Sequence, residues 1–273
     1  MKYADLHLHT HFSDSTFSPQ DLLREVEKAK LSCISIVDHD TVDGIEPVVT
    51  LAKDIEVEVL SGIELTAEYE GSEIHILGYL IDYKNKYLKE KLDFLKNYRI
   101  ERVYKIVDKL KSLGINLNPQ AVLELGKFGT VGRLHIARAM FKEGLTGSIF
   151  EAFQKYIGDN GPAYVSGFRH SPQEAIKLVK SSGGIPVLAH PYSLKNDELL
   201  MKIIADGIMG LEVYYHEHSQ AMVNFYLGLA KNYNLLATGG SDCHGTAKPE
   251  ARVGSTRIPY SLVEELKKAK DRL

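Results

Sequence analysis

Short apolar runs alternate along the chain with stretches whose apolar positions recur every three or four residues, and these two periods predict the elements. Tyr3 to Leu8, Cys33 to Val37, Val57 to Ile63 and Ile74 to Leu80 read as strands. After the first of them, Ser18-Pro19 opens a helix. Ser caps, Pro takes the first helical position, and Leu22, Leu23, Val26 and Ala29 form one apolar stripe. The second half repeats the pattern. Ser171, Pro172 and Glu174 form a capping box ahead of Ala175, Ile176, Leu178 and Val179. Gly184 to Ala189, Gly210 to Tyr214 and Leu235 to Thr238 follow as strands. Ser261 and Glu264 are expected to box a last helix, with Leu262, Val263, Leu266 and Ala269 turned inward. Strands alternating with helices define an α/β protein with a mainly parallel sheet. Neither G-x-G-x-x-G nor G-x-x-x-x-G-K-[ST] occurs, so the usual phosphate-cradling loops of dinucleotide and nucleotide folds are missing. Polar residues sit instead where strands end, which fits a barrel whose active site collects the C-terminal ends of several strands.

The alternation breaks between about Asp82 and Val165. Leu88, Leu92 and Leu95, then Val103, Ile106, Val107, Leu110 and Leu113, predict one long helix or two in succession. Segments 119–126, 133–142 and 148–156 also carry a helical pattern. A structureless loop of this length is implausible inside a compact domain. We therefore expect a helical lobe, residues 82–165, inserted into a barrel formed by residues 1–81 and 166–273, and covering its substrate face. From Lys84 to Lys111 there are ten Lys/Arg and four Asp/Glu, a charge run suited to a solvated helix face or to the approach of an anionic substrate.

Composition narrows the function classes. The 273 residues are 44% hydrophobic and 25% charged, ordinary globular values. The formal net charge of -3 argues against a dedicated nucleic-acid wrapper, so any nucleic-acid contact is expected to be local. Cys33 and Cys243 are the two cysteines, too few for a disulfide framework. No signal-peptide pattern and no run of about 20 apolar residues is present, so a cytoplasmic protein with no membrane partner is expected; no obligate protein partner is inferred.

The candidate chemistry lies in histidines and carboxylates near strand ends. In D-L-H-L-H-T, His7 and His9 are two apart, so on a strand both imidazoles project to one side. Asp14 follows. His39 stands in V-D-H-D-T, Glu64 after S-G-I, His75 at the start of a strand and His190 in V-L-A-H-P. Asp242 and His244 stand in T-G-G-S-D-C-H-G. Six of the 11 histidines belong to this set. Nine such groups near a core are costly unless partnered. Imidazole with carboxylate suits Mn²⁺, Fe²⁺ or Zn²⁺ and disfavours a thiolate site. A carboxylate such as Glu64 can bridge two ions, and paired ions can activate a hydroxide and stabilise a phosphoryl oxygen. Cys243, between two of these groups, is expected to be a small buried side chain rather than a nucleophile.

The motifs D-L-H-L-H-T at 5–10, D-H-D at 38–40, G-I-E at 62–64, A-H-P at 189–191 and G-S-D-C-H-G at 240–245 resemble the polymerase-and-histidinol-phosphatase, or PHP, family. The resemblance implies a distorted (β/α)7 barrel with two or three divalent metal ions. It places one ion on His7, His9, Glu64 and Asp242, a second on Glu64, His75 and His190, and a third on Asp14, His39 and His244. E-x-H-I-L-G-Y at 73–79, the helical insertion and G-R-x-H-I-A at 132–137 resemble the branch containing nucleotide phosphatases and RNase AM. That likeness implies hydrolysis of phosphomonoesters on small nucleotides or short 5′-phosphorylated oligonucleotides by metal-hydroxide attack. Histidinol-phosphate phosphatase and a non-catalytic PHP binding module are the alternatives. Arg133, with five donors in a fixed fork, is expected to bind the substrate phosphate. His135, two residues on and near a helix start, is expected to assist it. Of the two histidines after the E-V-Y strand, His216 and His218, the branch pattern favours His218 as a third phosphate-binding or proton-carrying residue.

Overall fold

The computed structural model describes residues 2–166 and 170–273; residues 167–169, at the expected return from lobe to barrel, lie outside the described residues. Strand β1 (Tyr3–Leu8) leads to α1 (Pro19–Lys28), β2 (Cys33–Ile36), α2 (Ile45–Leu51), β3 (Glu58–Tyr69) and β4 (Ser72–Tyr79). The lobe follows with α3 (Lys86–Ser112), α4 (Pro119–Leu125), α5 (Arg133–Lys142) and α6 (Ile149–Ala152). The chain returns through α7 (Pro172–Ser181), β5 (Ile185–Leu188), α8 (Asp197–Ala205), β6 (Gly210–Tyr215), α9 (Gln220–Asn232), β7 (Leu236–Gly240), β8 (Ile258–Pro259) and α10 (Tyr260–Lys270).

The strands form one sheet in the order β7-β6-β5-β4-β3-β2-β1-β8. It curls until its ends nearly meet. Leu8 bridges Cys243 in parallel, and the His9 N–H donates to the Cys243 carbonyl at 3.2 Å. The approach requires glycine at 240, where a Cβ would collide with the backbone nitrogen and Cβ of His7. The result is a nearly closed barrel with mixed α/β architecture, as the strand–helix alternation predicts. The sheet is less parallel than expected. β4 is antiparallel to both β3 and β5, and β8 is antiparallel to β1. Two residues, Glu70 and Gly71, both at positive φ, join β3 to β4. So short a connection permits only a hairpin, since a parallel crossover needs a dozen residues or more.

Two further boundaries differ from the sequence expectation. β3 continues to Tyr69, so Glu64 lies inside a strand instead of after one. The last helix starts at Tyr260 behind Pro259, without a side-chain cap. Ser261 is already within its first turn. The start is set by β8, where Ile258 and Pro259 pair with Ala4 and Tyr3 and the Tyr260 N–H donates to the Lys2 carbonyl. The other two caps form as expected, Ser18 on α1 and the Ser171–Glu174 box on α7; at α1 Asp21 also reciprocates, completing a box beyond the sequence expectation.

Apolar burial divides between barrel and lobe. One cluster joins Leu8, Ile34, Ile36, Ile63 and Leu65 of the sheet to Leu22 and Val26 of α1 and to Ile176 and Val179 of α7. A second gathers Leu6, Leu60, Leu77 and Val187 against Val263 and Leu266 of α10. The lobe has its own cluster, with Val103, Ile106 and Leu110 of α3 packed against Ile136 and Met140 of α5. Helix α3 is a single 27-residue helix that serves both bodies: Leu88, Leu92 and Leu95 join the barrel cluster and its later residues join the lobe. Among the described residues no helix is long and apolar enough to cross a membrane.

Candidate metal centre

Strand geometry brings the chemistry together at one end of the barrel. His7 lies on β1 and His9 just beyond it, and their rings stand 5.2 Å apart. Glu64 lies on β3 and His75 on the neighbouring β4. His39, His190, Asp242 and His244 follow β2, β5 and β7. Two of these follow their strands through backbone in the left-handed region, His190 at φ 26° and Asp242 at φ 55°. Such conformations are disfavoured for non-glycine residues and persist where surrounding contacts enforce them. The other eight histidines and carboxylates singled out in the sequence gather on the Glu64 side of the barrel mouth.

Glu64 is fully buried and touches five imidazoles. Its Oε2 lies 3.2 Å from both His7 Nε2 and His9 Nε2, and 3.3 Å from His39 Nδ1. Its Oε1 lies 2.9 Å from His75 Nδ1 and 3.2 Å from His190 Nε2. Asp242 Oδ1 faces His7 and His9 at 3.3 and 3.1 Å. Asp14 Oδ1 faces His244 Nε2 at 3.1 Å, and its Oδ2 is 3.8 Å from His39 Nε2. Among the described residues three groups have ligand atoms within 4.8 Å of one another: His7, His9, Glu64 and Asp242; His9, Asp14, His39 and His244; and His39, Glu64 and His75. The first matches the apportionment implied by resemblance. The other two differ in detail, since His9 joins the Asp14 group and His39 presents one ring nitrogen to each of them. His190 completes the Glu64–His75 side, with Nε2 3.3 Å from His75 Nδ1.

Two observations fit this arrangement to divalent cations. The first is a set of buried polar atoms without hydrogen-bond partners: His9 Nε2, Asp14 Oδ1, His39 Nδ1 and His244 Nε2. His244 Nε2 faces Asp14 Oδ1, and His9 Nε2 and His39 Nδ1 face Glu64 Oε2, at ion-pair distance without hydrogen-bond geometry. Buried groups left this way cost about 1–3 kcal/mol each, a penalty that a shared cation removes. The second is that the opposite ring nitrogens are held. His7 Nδ1–H donates to Glu212 at 2.8 Å, His75 Nε2–H to Glu73 at 2.9 Å, and His244 Nδ1–H to the Asp242 carbonyl at 2.8 Å. His190 Nδ1 lies 3.2 Å from Ser193 Oγ. This is how metal-binding imidazoles are oriented with their lone pairs inward.

Electrostatics agree. Burial by itself would raise the carboxyls, yet the facing imidazoles hold Glu64 well below the usual carboxylate range; His39 contributes most, then His7 and His75. Asp14, opposed by burial and favoured by His244 and His39, is likewise held low, and so is Asp242, beside Lys248 and His244. Burial disfavours a charged His7, but Glu212, Glu64 and Asp242 push its pKa well above the ordinary value. His39 goes the other way, down to about 3, because burial dominates there. Adjacent imidazoles thus diverge, with protons on some standing in for the cationic charge that the carboxylates demand.

Three residues that sequence reading missed support the centre. Glu212, fully buried on β6, orients His7 through Oε1 and receives the His190 backbone N–H at Oε2, 2.8 Å. A carboxylate in the apolar run G-L-E-V-Y was its signal, because such a group is costly without partners. Tyr215 OH and Lys248 Nζ both donate to Asp242 Oδ2, at 3.0 and 3.1 Å. Nothing in the local sequence marked Lys248. Glu212→Gln should cut metal affinity by about 10- to 100-fold, the usual cost of losing an orienting partner of a ligand histidine. Metal content measured after dialysis against graded chelator checks this; wild-type retention would show that His7 needs no such partner.

The lobe is fastened to the rim of the centre. Thr130 Oγ1 donates to the His39 carbonyl at 2.7 Å, and the Thr130 N–H donates to the Phe12 carbonyl at 2.9 Å. Arg99 is ion-paired with Asp40 and donates to Thr66 Oγ1 at 2.9 Å. Arg133 sits at the start of α5 and donates to Glu73 Oε2 at 2.8 Å and Asp159 Oδ1 at 2.6 Å. Because Glu73 also holds His75, one carboxylate ties Arg133 to the centre. A cavity of about 180 Å³ lies between, with Asp14, His39 and His75 on one side and Arg99, Arg133 and Lys248 around it.

His135 and His218 occupy different settings. His135 is buried, and its Nδ1 accepts the Gly132 N–H at 3.1 Å, capping α5. Burial lowers its pKa from 6.5 to about 4, so it is neutral at pH 7. A histidine lowered on folding contributes stability above its unfolded pKa, and that contribution is lost as pH falls from about 6.5 towards 4. The full window is worth about 3 kcal/mol. The metal-free His135→Asn protein should therefore show a flatter decline of Tm across that interval than the metal-free parent; an identical slope would remove His135 as the cause. His218 stands away from Glu64, its ring 5.5, 5.4 and 5.0 Å from those of Tyr192, Tyr215 and Tyr226. Its Nδ1–H donates to the Val213 carbonyl at 2.8 Å, while Nε2 is buried without a hydrogen-bond partner. Cys243 is buried as expected, and burial pushes its thiol up to about 11.

Comparison with known proteins adds to this geometry. The model for the PHP domain matches residues 5–161. The chain is 30% identical to a 5′-3′ exoribonuclease of Haemophilus influenzae, over 89% of this chain and 90% of that protein. It is 27% identical to a phosphoribosyl 1,2-cyclic phosphate 1,2-diphosphodiesterase of Eggerthella lenta, over 93% of this chain and 98% of that protein. With a 3′,5′-nucleoside bisphosphate phosphatase of Chromobacterium violaceum the identity is 26%, over 94% and 92%. A solved structure from Bifidobacterium adolescentis, described as a metal-dependent phosphoesterase, superposes with a TM-score of 0.89 and 32% identity, covering 96% of this chain and 94% of that one.

Proposed function

This chain belongs to the PHP domain family, and from that premise we propose that it is a metal-dependent phosphoesterase acting on terminal phosphates of small nucleotides or short 5′-phosphorylated oligonucleotides. The observation that carries the reading is the convergence of six imidazoles and three carboxylates beside a cation-rimmed cavity. The ligands would accommodate three divalent ions: one on His7, His9, Glu64 and Asp242, one on Glu64 and His75 with His190, and one on Asp14, His39 and His244. Imidazole with carboxylate suits Mn²⁺, Fe²⁺ or Zn²⁺. Divalent ions in such a site supply Lewis-acid stabilisation of phosphoryl charge and lower the pKa of water.

The remaining work falls to the chain's own residues. The cavity, about 180 Å³, suits a phosphoryl group and leaves a nucleoside outside it. It therefore selects a phosphate at the end of a molecule. Arg133 supplies a planar fork for two phosphoryl oxygens, and its ion pairs with Glu73 and Asp159 aim that fork before substrate arrives. Neutral His135 anchors the start of the helix that carries Arg133. His218, ringed by Tyr192, Tyr215 and Tyr226, is not among the residues lining the cavity; its partnerless Nε2 suits proton exchange on the His190 side.

The metal-loaded protein should release phosphate from adenosine 3′,5′-bisphosphate or from 5′-phosphorylated RNA in preference to AMP and histidinol phosphate. Turnover of histidinol phosphate alone would overturn the substrate assignment and leave the metal centre standing. Bound metal with no turnover of any phosphoester would instead favour a binding module.

A further inference from the structure

A larger cavity, about 780 Å³, runs down the side of the barrel between α1 and the segment 249–255. Its upper end is built by Phe17, Gly245 and Thr246. Gly245 directly follows the candidate ligand His244, and Phe17 lies three residues after Asp14. The two sides are tied where the Thr246 N–H donates to Thr16 Oγ1 at 2.8 Å. Glycine is needed at 245, which has φ 65° and where a Cβ would collide with Thr16 Oγ1. Its lower end reaches Lys30, which leads into β2, and Arg257, which precedes β8. The groove thus parallels β1, whose six residues span about 20 Å.

Its charge opposes that of the whole molecule. Lys28, Lys30, Arg252 and Arg257 line it against one carboxylate, Glu25, a local balance of +3 in a chain whose net charge is -3. All four cations are exposed. Lys28 is paired with Glu25 at 2.6 Å, and the Arg257 guanidinium lies 4.5 Å from the Tyr3 ring centroid; Lys30 and Arg252 are held by no such contact among those of the described residues. Cations distributed along a groove do not converge on one phosphate. They match an anion repeated along a chain, with an aromatic ring, Phe17, at the end nearest the metal centre where a base could stack.

We propose that this groove binds the body of a single-stranded oligonucleotide whose 5′-terminal phosphate occupies the metal centre. The proposal rests on the phosphoesterase reading and deepens it, because the groove distinguishes a chain from a mononucleotide. A mononucleotide ends before reaching Lys30 and Arg252; a strand of several nucleotides extends over both. Electrostatic binding of this kind is salt-dependent, with a slope of about 0.7 per neutralised phosphate for single strands.

The test compares wild type with Lys30→Glu/Arg252→Glu and, as a milder pair, Lys30→Gln/Arg252→Gln. Binding of a fluorescent 5′-phosphorylated RNA is followed by anisotropy, and kcat/KM is measured for that RNA and for adenosine 3′,5′-bisphosphate. The charge reversal should weaken RNA binding at least about tenfold at low salt, and the Gln pair should reduce the salt slope by about 1.4, two phosphates' worth. The bisphosphate kcat/KM and the metal content should stay within about twofold, because both side chains are exposed and neither lines the metal-centre cavity. Unchanged RNA binding in both variants, or an equal loss for RNA and bisphosphate, would overturn the groove. Binding that depends on Lys30 and Arg252 in a protein hydrolysing no phosphoester would instead keep the groove and sink the catalytic reading.

Discussion

Glu64→Gln is expected to leave a folded chain that has lost most of its metal and nearly all turnover. The carboxylate touches His7, His9, His39, His75 and His190, so its charge is shared by two of the three ligand groups. Glutamine keeps the volume but removes the negative charge, and it turns an N–H donor towards imidazole nitrogens whose lone pairs point inward. A single missing partner around a metal ligand already costs about 10- to 100-fold in affinity. Losing a shared ligand should cost more, with kcat/KM falling at least about 1,000-fold, equivalent to about 4 kcal/mol. Metal analysis after gel filtration, together with phosphate release, reads both effects. Two or more retained ions per chain with near-normal turnover would refute the shared role of Glu64.

Arg133→Ala should separate substrate binding from metal binding. The guanidinium touches Glu73 and Asp159 but none of the nine candidate ligands, so metal content should remain close to wild type. Removing a positioned cation from a developing phosphoryl charge should lower kcat/KM by about 100- to 1,000-fold, or about 3–4 kcal/mol. Arg133→Lys should recover part of this, because an ammonium restores charge without the two-point fork. A rise in KM alone would mark binding shared by ground and transition states, whereas equal losses in kcat and kcat/KM would mark a contact made in the transition state. Unchanged kinetics would assign Arg133 to the lobe's fastening through Glu73.

Much of the site was legible because its signals are local. H-x-H on a strand needs only the two-residue period of β1 to place His7 and His9 side by side. The short apolar runs before His39, His190 and Asp242 place these residues where barrel strands deliver their side chains. The long helix α3 was equally legible, because the 3.6-residue period in Leu88 to Leu110 persists over many turns. Even so, the leucines could not show that one helix serves two cores. The reversal of β4 was within reach as well, since two residues between strands exclude a crossover, but hydrophobic pattern alone carries no strand direction. Ser261 and Glu264 show the converse failure. Their spacing imitates a cap, while pairing of β8 with β1, nearly the whole chain away, decides where α10 begins.

Read alone, the order of residues therefore carries the alphabet of the site and the periodicity of its scaffold. The residues able to take a divalent cation, and the strands and helices that carry them, follow from side-chain chemistry and local backbone preference. Tertiary structure decided which of those groups meet. It set Glu64 against five histidines from four separate places in the chain, placed Glu212 behind His7 and Lys248 on Asp242, and aimed Arg133 through Glu73. It also collected Lys28, Lys30, Arg252 and Arg257 along one groove, although the first and last are more than two hundred residues apart. The physical reason is range. Hydrogen bonding and side-chain packing within a turn or a strand act between near neighbours, whereas the charge around a buried atom sums over everything that barrel closure brings within a few ångströms of it.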